Sequence, residues 1–186
     1  MKGIVFNLLE EVARRELSEE TWEALLEAAE LDGAYTSLGS YPDEDLMKLV
    51  AAASSALNMP PEAVVRWFGN HALPLMAERY PQFFSGHTTS RSFLLTLNGV
   101  IHPEVVKLYP GAETPEFGYD VSSAETLIME YKSHRHMCAF AEGLIEGAAA
   151  FYGEALTAEH PQCRERGDAQ CVFHLSFKKG ESVAHG

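Results

Sequence analysis

The chain has 186 residues and a mass of 20.5 kDa, with 27 acidic against 14 basic side chains and a net charge of −13. That length suits one domain, and 46% hydrophobic with 10% aromatic residues suits a packed core rather than a disordered chain. Phosphate backbones and anionic membranes repel so acidic a surface, which argues against nucleic acid or polybasic membrane docking.

Met1-Lys2-Gly3-Ile4 lacks the long apolar stretch of a signal peptide, and the longest run without a charged side chain, Leu49–Pro61, is too short to span a bilayer. A cytoplasmic location is expected. Ile4, Leu8 and Val12 recur at helical spacing up to Leu17. Ser18 is the expected N-cap of a second helix burying Trp22, Leu25, Leu26 and Ala29, closed by Asp32-Gly33. Pro42 with three following acids opens a third helix, and Pro60-Pro61 a fourth, which Gly69 and Pro74 are expected to bend. Phe83 to Gly86 reads as a turn. A helix from Ser90 is expected to reach Leu97 and to continue past Gly99 towards Tyr109.

Turns dominate from Gly111 to Gly118. Thr126 to Arg135 alternates like a strand, with Leu127, Met129, Tyr131, Ser133 and Arg135 on one face. Met137 to Leu156 is expected to be helical, with Gly143 and Gly147 permitting close backbone approach. Cys171 to Phe177 closes the chain as a strand. The fold class is therefore α+β: a helical part over about 1–110, then a sheet-containing part over about 111–180, one domain over 1–180 and a tail at 181–186.

Three constellations carry chemistry. Tyr131, Ser133 and Arg135 align two hydroxyls and a guanidinium, which suits a bound carboxylate as well as a solvated strand face. His102 ends the apolar segment from Phe93 to Ile101, where an imidazole can ligate a metal or simply be satisfied by backbone. His160-x2-Cys163-x7-Cys171, with Cys138 distant in sequence, provides three thiols and an imidazole, the donor set of tetrahedral zinc. Ordinary buried cysteines are the plainer reading. The remaining histidines, His134, His136 and His71 among them, read as surface or capping residues.

In order, the Met1-Lys2-Gly3 start, His102 followed by Leu108-Tyr109-Pro110, Pro115, Tyr131-x-Ser133-x-Arg135 and the Gly143–Gly147 helix resemble the haem–nitric oxide/oxygen binding (H-NOX) family. This family is related to the haem domain of soluble guanylate cyclase. The resemblance spans roughly Met1 to Phe177. It implies haem b between the two halves, His102 as proximal ligand, Tyr131, Ser133 and Arg135 on the propionates, and Pro115 pressing on the ring. No Cys-x-x-Cys-His occurs, so covalent haem attachment is excluded. Pro103, just after His102, departs from regular helix chemistry and predicts a kink at the ligand.

The resemblance also places Phe140 where oxygen-holding members carry a tyrosine. Leu9 and Ala72 stand at companion polar positions, and a pocket lined by Phe140, Leu144, Leu9, Val5 and Met76 would favour nitric oxide. It further implies that gas binding loosens the His102 bond and shifts the helical half against the sheet half. Carbon monoxide is a second expected ligand. The output would be read in trans by a histidine kinase or a cyclic-di-GMP enzyme, so the chain is expected to be a sensor and not an enzyme. Some members carry zinc on the positions matching Cys138, His160, Cys163 and Cys171. A competing reading is a vinyl-reductase-like small-ligand domain with structural zinc, which covers only the last third and leaves His102 unexplained.

Overall fold

The computed structural model describes residues 1–179, so the expected tail at 181–186 lies outside the described residues. Helices come first: α1 (Gly3–Glu16), α2 (Glu19–Ala29), α3 (Asp43–Leu57), α4 (Pro61–Arg79), α5 (Ser90–Leu94) and α6 (His102–Leu108). Then follow β1 (Glu116–Asp120), β2 (Thr126–Lys132), α7 (Cys138–Phe151), β3 (Glu154–Gln162) and β4 (Cys171–Lys179). The strands form one antiparallel sheet in the order β1-β2-β4-β3. The fold class is α+β, as expected.

The amphipathic patterns act as anticipated in the first helices. Ser18 accepts a hydrogen bond from the Thr21 amide, and Trp22, Leu25, Leu26 and Ala29 are buried. The helix stops earlier than expected, because Glu30 adopts the left-handed conformation (φ 55°) before Asp32-Gly33 is reached. These helices enclose a core around Phe6, Trp22, Leu46 and Leu49. A second core joins α4, α5 and α7 to the inner faces of β2 and β4, with Leu127, Met129, Phe173 and Leu175 almost wholly buried.

Helices α4 and α7 connect the two parts. A Cβ on Gly69 would fall 2.5 Å from the Phe140 carbonyl oxygen, one on Gly147 would fall 2.7 Å from the Asn70 carbonyl oxygen, and one on Gly143 would run into the Arg66 carbonyl. Gly69 thus serves close approach, and α4 stays helical through both Gly69 and Pro74. Pro74 removes the donor that would have met the Asn70 carbonyl, on the side where Gly147 packs.

Four boundaries differ from expectation. β1 begins inside the expected turn region and runs past it to Asp120. β2 ends at Lys132, so Ser133 and Arg135 occupy a turn rather than the strand face. α7 ends at Phe151, and the segment after it is β3, an exposed edge strand with little apolar alternation. The helix expected from Ser90 breaks at Leu95, and a π-helical turn spans Leu97–Ile101 before α6.

Gly143→Ala should cost about 1–3 kcal/mol in urea unfolding, because the added methyl must push two packed helices apart. A variant as stable as the parent would show that the α4–α7 spacing is not fixed by these contacts.

Candidate functional site

Between α1, α4, the π-turn with α6, the sheet and α7 lies a cavity of about 520 Å³. Its volume is in the range of small-molecule and cofactor sites. The wall is mostly apolar, and its polar groups include His102, Tyr131, Ser133 and Arg135. Pro115, Phe140, Leu144, Val5 and Met76 also line it. Leu9 and Ala72, expected nearby, do not: Ala72 is sealed between α1 and α4, Leu9 packs outside the cavity, and Leu8 takes the wall position on α1.

The π-turn positions His102. Ile101 and His102 donate to carbonyls five residues back, at Thr96 and Leu97. A proline after His102 lacks an amide donor and, in a regular α-helix, would clash with the carbonyl four residues back. The wider turn relieves that conflict, and His102 keeps helical angles (φ −62°, ψ −41°). The deviation expected at His102 is therefore taken up in the turn before it.

Asn98, which the sequence reading passed over, clamps this turn to the sheet. Its amide donates to the Phe117 carbonyl (2.5 Å), and its oxygen accepts from the Phe117 amide (3.1 Å). An asparagine side chain thereby extends the β1 ladder. The His102 ring stacks on Phe117 at 5.8 Å. Burial pushes the imidazole pKa below its ordinary value, partly opposed by the Pro115 backbone. Nδ1 is buried with no hydrogen-bond partner, and buried polar atoms of this kind call for an explanation.

On the polar side, Ser133 Oγ accepts from the Arg135 amide (3.1 Å), and the Tyr131 hydroxyl reaches the Arg135 carbonyl at 3.4 Å. Arg135 is heavily engaged. Its Nε donates to Asp43 (2.7 Å), at the start of α3, and its outer nitrogens to Glu113, in the loop before β1. It thus ties the sheet part to the helical part. A porphyrin is a broad apolar ring with two carboxylates at one edge. An apolar wall, an orphaned imidazole nitrogen and a hydroxyl–guanidinium cluster match that chemistry, so the residues present fit a haem.

A second cluster lies at the start of α7. One ligand atom from each of Cys138, His160, Cys163 and Cys171 falls within 4.8 Å of the others, and the three thiols are buried and form no disulfide, with Cys171 Sγ accepting from the Arg164 amide (3.4 Å). Cys138 and Cys163 sulfurs are 3.6 Å apart. Burial raises the Cys138 and Cys171 thiol pKa values. The Asp168 carboxylate accepts from the Cys163 amide (2.7 Å), which fixes the turn carrying that thiol.

A haem-NO-binding family model matches residues 2–160. The structure resembles the crystal structure of an H-NOX protein from S. oneidensis in the Fe(II)NO ligation state, with a TM-score of 0.88 and 31% identity over 96% of this chain and 99% of that one. It also resembles the solution structure of an H-NOX from Shewanella woodyi in the Fe(II)CO state, with a TM-score of 0.81 and 32% identity over 100% of this chain and 99% of that one. An unliganded Fe(II) mutant H-NOX from K. algicida matches at a TM-score of 0.84 and 25% identity, over 98% of each chain. Among the described residues, no helix is long and apolar enough to cross a membrane.

Because burial disfavours the imidazolium, the unfolded chain takes up a proton at His102 before the folded haem-free chain does. Stability of the haem-free protein should therefore fall as pH drops through the ordinary histidine range, about 6.5, and His102→Leu should fall less steeply. Parallel pH curves for the two proteins would contradict this account of His102.

Proposed function

The chain belongs to the haem-NO-binding (H-NOX) family and is a haem-based gas sensor domain rather than an enzyme, and we propose that it holds haem b through His102 and responds to nitric oxide. The observation that carries the reading is the cavity that gathers His102, Tyr131, Ser133 and Arg135 around an apolar wall. When bound, the haem supplies a ferrous iron with an open position for a diatomic gas. His102 provides its imidazole, kept neutral by burial. Tyr131, Ser133 and Arg135 serve the propionates: Asp43 anchors the guanidinium through Nε, and the edge now facing the exposed Glu113 is the one available to an incoming carboxylate. Pro115 lies along the wall as the ring-pressing residue.

Selectivity falls to α7. Phe140 stacks on Phe68 at 5.0 Å and offers no donor. Oxygen would need a donated hydrogen bond from the wall to be held, whereas nitric oxide and carbon monoxide would not. The α4–α7 contact connects the cavity wall at Phe140 to the helical part, and the Asn98 clamp ties the His102 turn to β1, so a shift at Phe140 is carried to the helices, one at His102 to the sheet, and each through them to the surface. The reader of that surface is a separate protein, a histidine kinase or a cyclic-di-GMP enzyme. A cytoplasmic setting and a partner with a basic docking face suit the net charge of −13.

The thiol–imidazole cluster is a zinc site in this reading. Four donors of the right kind, three of them buried, already stand within one coordination sphere's reach. The vinyl-reductase-like alternative accounts for this cluster but not for the His102 cavity.

Ferrous protein loaded with haem should bind nitric oxide and carbon monoxide and remain unligated in air, whereas Phe140→Tyr should form an oxygen complex visible by absorption. A stable oxygen complex of the parent chain would contradict the apolar-wall reading. Freshly reduced protein should carry about one zinc per chain by elemental analysis, and Cys163→Ser should lose it; zinc-free parent protein would remove the assignment.

A further inference from the structure

Helix α7 carries Cys138, Glu142 and Glu146 at successive four-residue steps, so all three side chains share one face. Cys138 gives its thiol to the metal cluster. One turn on, Glu142 Oε1 lies 3.4 Å from His160 Nδ1. Both side chains are poorly accessible, at 17% and 10% of full exposure. The other imidazole nitrogen, Nε2, is buried with no hydrogen-bond partner. It is therefore the atom left for the thiol cluster.

His160 reaches α7 through an irregularity in β3. Glu159 pairs with His174 and Gln162 with Val172, so β3 carries one residue more than β4 across this stretch. A bulge of this kind re-aims a side chain. Pro161, which cannot donate to a ladder, sits in it. The ring packs on Phe173 at 4.4 Å. The bulge places the imidazole, but ring packing alone does not determine which nitrogen carries the proton.

We propose that Glu142 is the positioning residue of the Cys138–His160–Cys163–Cys171 metal site, holding the proton on His160 Nδ1 so that Nε2 faces the metal. A metal-bound histidine needs this second hydrogen bond to fix its tautomer and raise its basicity. Glu142 is itself held from the other side. Arg66 on α4 lies 3.7 Å from Glu142 Oε2 and donates through Nε to Glu146 at 3.0 Å. The carboxylate thus spans from the metal site to the α4–α7 contact, between the cavity-lining Phe140 and Leu144. This inference rests on the zinc reading given above.

The test uses the full reduced chain with Co(II) as a spectroscopic probe and Zn(II) in competition with a chelator. The parent should show the visible bands of tetrahedral thiolate-bound Co(II). Glu142→Ala should weaken Zn(II) binding by about 10–100-fold and alter those bands. Glu142→Gln, which keeps an acceptor oxygen, should fall between the two. Parent-like Zn(II) affinity and Co(II) bands in Glu142→Ala would overturn the role of Glu142 while leaving the zinc site in place. Should Glu142→Ala fail to fold, Glu142→Leu, which fills the same space without an acceptor, takes its place, and parent-like affinity there overturns the role equally. A parent chain that takes up no Co(II) removes the zinc site and the role of Glu142 together.

Discussion

The structure depends on the near contact of two helix backbones. Gly69 on α4 and Gly143 and Gly147 on α7 let carbonyl oxygens of each helix approach the other where any side chain would intervene. This brings α7, which follows the central strand β2, against a helix of the N-terminal part. The buried core then forms on both sides of the pair. Close packing of this kind has little slack, because interiors are as dense as organic crystals. A movement of α7 is therefore felt along α4.

Helix α7 also distributes chemistry by periodicity. Phe140 and Leu144 look into the cavity, while Cys138 and Glu142 turn to the thiol–imidazole cluster and Arg66. Two sites that share no side chain thus share one rigid element. The opposite wall is built differently. There the π-turn and the Asn98 clamp fix His102 against β1, and the helix resumes at His102 with Pro103 in its first turn, which the wider turn before it accommodates. One wall is held by backbone proximity, the other by a side chain imitating a strand.

The helices were legible because apolar spacing and caps agree over long segments, as at Ser18 and Trp22. The side chains that the structure gathers in the cavity and in the thiol–imidazole cluster stood out in the sequence because few residue types supply imidazole, thiol or guanidinium. What the sequence concealed has physical causes. β1 is five residues with a central glycine, and β3 is mostly exposed, so neither carries a clear apolar alternation. Tyr131-Lys-Ser-His-Arg135 continues the alternation of β2, but the Ser133 hydroxyl captures the Arg135 amide and turns the chain. Leu9, which the family resemblance put at the pocket, and Leu8, which lines the cavity, are neighbours in sequence but lie about 100° apart on a helix, so a resemblance by position does not settle which of the two faces inward. Asn98, Glu142 and Arg66 gave no local signal at all; their roles exist only through partners distant in the chain.

The sheet ends on β1 and β3, and exposed strand edges are where chains join into larger sheets. β1 is short and begins and ends with a carboxylate, Glu116 and Asp120. β3 is interrupted by its bulge, and Pro161 offers no amide to a neighbour. The irregularity that turns His160 inward therefore also spoils the outer edge as a template. The bulge that sets the His160 ring against α7 thereby also protects the chain against edge-to-edge aggregation.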